Sequence, residues 1–115
     1  MVSHLVLFRL RPDLTEIDRE ALLRAFEHAL RDIASVRGFR IGQRLTFGAR
    51  YEQALPDLRF SMIIDFDDLS GLKAYLDHPA HEHLGTRFNA SIVEGLVYDY
   101  ELIELEDAKR LLREA

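Results

Sequence analysis

The segment Val2-Ser3-His4-Leu5-Val6-Leu7-Phe8 decides the class of fold, because it is apolar at both of its alternating sets of positions. A strand with one solvated face alternates apolar and polar side chains, and residues 2–8 do not. Residues 60–66 share this property, since Met62, Ile63 and Ile64 follow one another directly. Both segments therefore predict strands that are buried on both faces of a sheet.

The chain between these two strands predicts a helix, a third strand and a loop. Thr15 and Asp18 have the spacing of a capping box, and apolar residues then recur at helical intervals over about residues 16–35. Apolar residues interrupted by two glycines predict a bulged strand over residues 36–47. Residues 48–57, which contain a proline, predict a loop.

The second half of the chain also predicts helices followed by a strand. Asp67 is expected to cap a short helix that Pro79 ends, and a further short helix is expected over residues 81–92. Residues 96–103 predict the last strand. The following segment, 104–115, places acidic residues first and basic residues last, which favours a helical tail.

The resulting order, β-α-β-β-α-β, predicts a ferredoxin-like α+β fold with a four-stranded antiparallel sheet. The domain is expected over residues 1–103, with residues 104–115 as an appended tail. Both helices of such a fold lie on one face of the sheet, so the other apolar face needs a separate cover. A second copy of the chain is the simplest cover, and we therefore predict a homodimer with its sheets packed face to face.

The composition of the chain limits which partners and which cellular compartment are expected for the protein. The chain has 115 residues, which suits one domain, and a net charge of −5, which argues against nucleic acid as a partner. It has no cysteine, which excludes disulfides and thiolate chemistry and makes the cytoplasm the expected location. The opening apolar run is too short for a signal peptide or a membrane span, so no membrane association is expected.

The candidate site is the segment Tyr75-Leu76-Asp77-His78-Pro79-Ala80-His81, which holds three proton-active side chains. Histidine titrates near neutral pH, and tyrosine can hold or donate a proton without carrying charge. A metal site formed with His83 is disfavoured, because the proline breaks the helix that would align the ligands and no HExxH pattern is present. We therefore expect no metal at this segment.

Several segments together resemble the stress-responsive A/B barrel domain family. These are Ser3-His4-Leu5-Val6-Leu7-Phe8, Val36-Arg37-Gly38-Phe39-Arg40-Ile41-Gly42, Leu72 to His81, and Tyr98-Asp99-Tyr100. The resemblance extends from about residue 2 to residue 103. It implies a dimeric α+β barrel, in agreement with the argument from the apolar strands.

The resemblance also implies a site. Plant polyketide cyclases of this family close a ring by aldol condensation without a cofactor, and their catalytic tyrosine and histidine correspond to Tyr75 and His81. His81 would then act as the base, while Tyr75 would orient the carbonyl group. The pocket between sheet and helices would be lined by His4, Val6, Phe8, Phe60, Met62 and His78. Phe60 stands where those cyclases carry a further pocket histidine.

Two hypotheses of function remain open from the sequence. The first is a dimer that binds a small apolar or aromatic carbonyl compound without catalysis, with no cofactor. The second is a cofactor-free cyclase or lyase that uses His81 and Tyr75. For His81 itself, catalysis is weighed evenly against a structural role, in which the side chain is hydrogen-bonded to strand backbone or to Asp99. His78 is expected to be a helix-end residue, whose protonated form the helix dipole favours.

Overall fold

A four-stranded antiparallel sheet forms the centre of the fold in the computed structural model, which describes residues 1–113. The strands are β1 (Val2–Leu10), β2 (Gly38–Gln43), β3 (Phe60–Phe66) and β4 (Ile92–Glu101), in the spatial order β2-β3-β1-β4. The helices are α1 (Glu16–Asp32), α2 (Leu69–Asp77), α3 (Pro79–Ser91) and α4 (Ala108–Arg113), with 3-10 turns at Arg50–Glu52 and Leu105–Asp107. This arrangement confirms the predicted ferredoxin-like α+β fold.

The register of the strands separates the two faces of the sheet. His4 and Val6 of β1 lie opposite Ile64 and Met62 of β3, and these side chains are buried beneath the helices. The amphipathic helix α1 adds its own apolar face to this core through Leu22, Ala25, Phe26, Ala29 and Leu30. The main hydrophobic core therefore lies between one face of the sheet and the helices.

The second face of the sheet, called the open face below, carries the other alternation of the strands. Its apolar centre consists of Leu5, Leu7 and Ile63, together with Leu96 and Tyr98 at the same register on β4. Leu96 is 40 % exposed and Tyr98 is 49 % exposed. Within residues 1–113, this apolar surface is thus left largely uncovered.

The ends of the helices follow local side-chain chemistry. The Thr15 hydroxyl accepts a hydrogen bond from the Asp18 amide and the Asp18 carboxylate accepts one from the Thr15 amide, as the capping-box pattern predicts. The prediction that Asp67 caps α2 is wrong. Asp68 is the capping residue and accepts from the Gly71 amide, while Asp67 forms an ion pair with Arg37.

Strand β2 is shorter than predicted, and its pairing with β3 shows no bulge. A Cβ atom at Gly42 would lie 2.8 Å from the Ser61 hydroxyl, so this glycine permits close regular pairing of the strands. The irregularity instead lies in β1, between Arg9 and Leu10 opposite β4. Strand β4 begins earlier than expected, at Ile92, directly after α3.

The tail beyond β4 continues as a 3-10 turn and α4, and the last two residues of the predicted tail lie outside the described residues. Among the helices of residues 1–113, none combines the length and the apolar character needed to cross a membrane.

Candidate ligand-binding site

A cavity of about 250 Å³ lies between the sheet and helices α2 and α3. Most of its wall is apolar, and the polar groups come from His4, Tyr75, His81 and Asn89. The remaining lining residues are Val6, Phe26, Ile64, Leu76, Leu84, Gly85, Phe88 and Val97. This combination of an apolar wall and a few convergent polar groups is typical of a small-molecule site.

Tyr75 is held firmly on the inner face of α2. It is 1 % exposed, and its ring lies 5.3 Å from the ring of Phe66, measured between centroids. Burial raises the pKa of the Tyr75 hydroxyl, because the phenolate would be poorly solvated there. The phenol therefore stays protonated at physiological pH and can donate a hydrogen bond to a ligand.

His81 lies in the first turn of α3 beside Tyr75. The two ring centroids are 4.7 Å apart and the ring planes meet at 61°. Burial lowers the pKa of His81, with a smaller contribution from nearby His4, and hydrogen bonding to the backbone of Leu76 partly offsets this. His81 is consequently neutral at physiological pH, and one of its ring nitrogens can accept a proton.

His4 is oriented by a carboxylate across the sheet. The strand register places His4 directly opposite Asp99, and the His4 Nδ1 atom lies 2.5 Å from the Asp99 Oδ1 atom. When the carboxylate is ionised it accepts from Nδ1, and this contact fixes the orientation of the His4 ring at the cavity wall. The hypothesis that His81 bonds to Asp99 is therefore corrected: Asp99 pairs with His4.

The structure brings together only part of the predicted site. His4, Val6, Tyr75 and His81 line one cavity, whereas Phe8, Phe60, Met62 and His78 do not line it. Phe8 and Phe60 pack against each other, with ring centroids 5.7 Å apart, and Met62 is buried in the core.

His78 instead caps a helix. Its backbone is extended, as expected before a proline, and its Nδ1 atom accepts a hydrogen bond of 3.0 Å from the Ala80 amide at the start of α3. The prediction that His78 is a helix-end residue agrees with this position, since His78 ends α2 and its side chain caps the N-terminus of α3.

The spacing of three residues on α3 could have predicted more of the cavity wall from the sequence. His81, Gly85 and Asn89 are spaced four residues apart on α3 and share one face of that helix.

Metal-ligand geometry is a separate question: within residues 1–113, no three His, Asp or Glu side chains are placed to hold one metal ion.

Comparison with known proteins identifies the class of protein. Residues 2–102 match the model of the stress responsive A/B barrel domain family, and the chain belongs to that family. No curated protein matches the sequence.

Solved structures of the same fold are numerous. A protein of Arabidopsis thaliana has 21 % identity and a TM-score of 0.75 over 91 % of this chain and 98 % of its own. Hydroxynitrile lyase from Passiflora edulis has 14 % identity and a TM-score of 0.76, covering 90 % of this chain and 94 % of its own. A dimeric protein of unknown function from Bacteroides fragilis has 25 % identity and a TM-score of 0.62, covering 88 % and 95 %.

Proposed function

We propose that the protein binds a small, uncharged, apolar carbonyl compound in the cavity beside Tyr75 and His81. The observation that carries this proposal is the pairing of a protonated phenol with a neutral imidazole at the wall of an apolar cavity. The Tyr75 hydroxyl can donate to a carbonyl oxygen, while the apolar wall takes the rest of the ligand.

The charge and size of the cavity limit the ligand further. No lysine or arginine is among the residues that line it, so a carboxylate or phosphate would be buried without a counter-charge. A volume of about 250 Å³ lies below the roughly 300–1,000 Å³ of drug-sized sites. These properties favour a compact neutral molecule, such as one aromatic ring with a short carbonyl chain.

A cofactor-free lyase or cyclase is the second candidate function, favoured by the neutral state of His81. In this mechanism His81 takes a proton from the carbon between two carbonyl groups. Tyr75 hydrogen-bonds the carbonyl oxygen on which negative charge develops. Hydroxynitrile lyase from Passiflora edulis, which has the same fold, is itself a lyase.

The proposed functional unit is a homodimer in which two open faces pack together as a dimeric α+β barrel. The centre of the face is apolar, while Arg9 pairs with Glu94 and Arg40 pairs with Asp65 on the same face. An apolar centre with a polar rim is the usual anatomy of a protein interface. The Bacteroides fragilis protein of the same fold is dimeric.

Gly85 offers a direct test of ligand binding. It lines the cavity from the middle of α3, and a Cβ atom built there meets no heavy atom within 4 Å. Gly85→Leu should therefore fill the cavity and abolish binding. It should not lower stability, because glycine inside a helix costs roughly 0.5–1 kcal/mol relative to alanine.

The measurement is a calorimetric and NMR titration with neutral aromatic ketones and aldehydes, acetophenone being the smallest and benzoate the anionic counterpart. Acetophenone should bind the native protein and the control Thr86→Leu, which alters an exposed neighbour on α3. Binding retained by Gly85→Leu, benzoate binding as tightly as acetophenone, or no binding across the neutral panel would each contradict the proposal.

A further inference from the structure

A second surface of the molecule groups arginine and histidine side chains that are not part of the cavity beside Tyr75 and His81. A groove of about 310 Å³ lies between α1 and α3, and its polar lining consists of Arg24, His28, His83 and Arg87. Ala21 and Ala25 complete the lining, and their small side chains leave room above the α1 backbone. No carboxylate is among the groove's lining residues.

The spacing along each helix sets this arrangement. Arg24 and His28 are four residues apart on α1, and His83 and Arg87 are four residues apart on α3. Residues four apart lie on the same face of a helix. Since α1 packs against α3, each helix presents one arginine and one histidine to the same groove.

The arginines of residues 1–113 divide into those that form ion pairs with carboxylates and those that do not. Arg9, Arg11, Arg37, Arg40, Arg44, Arg59 and Arg110 form ion pairs with carboxylates. Within residues 1–113, Arg24 and Arg87 form none, and neither do the exposed Arg19, Arg31 and Arg50, although the chain has 20 acidic residues against 15 lysines and arginines. Arg87 is also half-buried, which makes an uncompensated charge there more costly.

Three carboxylates near the groove are engaged elsewhere. Beyond Arg87 the surface continues to Asp13 and Asp18, but Asp13 is bound by Arg11 and Asp18 closes the capping box of α1. Asp32 pairs with His28 from one turn further along α1 and does not line the groove. Arg24 and Arg87 thus line one groove whose lining holds no carboxylate, which leaves them available to a ligand from solution.

We propose that this groove is a binding site for a small phosphate-class oxyanion, distinct from the neutral ligand of the cavity. Arginine presents a planar fork of donors that matches phosphate oxygens in a bidentate manner. Arg24 and Arg87 would hold the phosphate group from the two helices, and a ring N–H group of His83 would add a donor. The proposal does not depend on the identity or existence of the cavity ligand.

The test is an NMR titration of the full chain with inorganic phosphate, succinate and sodium chloride at constant ionic strength. Phosphate should give saturable shifts of backbone amides in residues 21–28 and 83–87, with a dissociation constant in the millimolar range. The double variant Arg24→Gln, Arg87→Gln should raise that constant at least tenfold. Arg31→Gln, an exposed arginine on α1 that does not line the groove, should leave it unchanged.

Three outcomes would overturn the proposal. The first is a shift that grows without saturation or is matched by chloride, which indicates general screening. The second is equal phosphate binding by the double variant. The third is succinate binding as tightly as phosphate, which would assign the groove to carboxylates. The amide spectrum of each variant also reports whether it is folded, so weakened binding can be separated from unfolding.

Discussion

Ile63→Glu should convert the proposed dimer into folded monomers at micromolar concentration. Ile63 lies at the centre of the open face, opposite Leu5 of β1 and Arg40 of β2. In the proposed dimer a glutamate there would be buried in an apolar interface. Its neighbour Arg40 already pairs with Asp65, so the new carboxylate is left uncompensated at a cost of several kcal/mol. By the relation of about 1.4 kcal/mol per tenfold, the dimer dissociation constant should rise by at least roughly a hundredfold.

Sedimentation equilibrium of the native chain and the variant measures this effect. Ile17→Glu is the matched control, because Ile17 is 75 % exposed on α1, away from the sheet, and should leave the dimer intact. Tyr98→Glu, on the exposed edge strand of the open face, separates dissociation from unfolding of a central strand. A native chain that is already monomeric at micromolar concentration, or a dimer that survives both open-face variants, would refute the proposed assembly.

The order of elements was predictable because each helix and strand is encoded by a local apolar period. The Thr15 capping box depends on residues three apart, and the end of α2 before Pro79 depends only on that proline. Both were predicted correctly. The sequence could not rank Asp67 against Asp68 as the cap of α2, since that choice depends on where the strand ends and on the ion pair of Asp67 with Arg37.

The wall of the cavity was less predictable, because it depends on register between distant strands. The pairing of His4 with Asp99 joins residues 95 positions apart, and only the alignment of β1 with β4 puts them opposite each other. A shift of one residue would turn Asp99 to the other face. Tyr75 and His81, by contrast, lie six residues apart on successive helices, so their proximity follows from the short break at His78.

If the protein catalyses proton abstraction, His81→Ala should lower the rate by about 10²–10⁴-fold, the usual contribution of a positioned general base. The assay follows the exchange of the central proton of benzoylacetone, a neutral β-diketone, in D₂O. His81 would take the proton from the carbon between the carbonyls, and a deuteron from solvent would replace it. Tyr75→Phe keeps the aromatic packing against Phe66 but removes the hydroxyl donor, so it should also slow the reaction.

Below neutral pH, the exchange rate of the native protein should fall as the pH falls. Burial lowers the pKa of His81 below its ordinary 6.5, so the neutral base form is lost only when the pH falls through that lowered pKa. The rate should therefore be flat around pH 7 and decline on acidification at a midpoint below 6.5. Burial also raises the pKa of Tyr75 above its ordinary 10, so loss of the phenol donor should not limit the rate until the pH is well above 10.

Stability measurements separate the catalytic role of His81 from a structural one. A catalytic His81 facing the cavity should give an alanine variant with nearly native melting, whereas a structural His81 should lose ~1–3 kcal/mol through partners left unpaired. His83→Ala is the control, since His83 is exposed on α3 and does not line the cavity. Native exchange no faster than buffer, or full activity in His81→Ala, would exclude the lyase and leave the neutral-ligand site as a binding site alone.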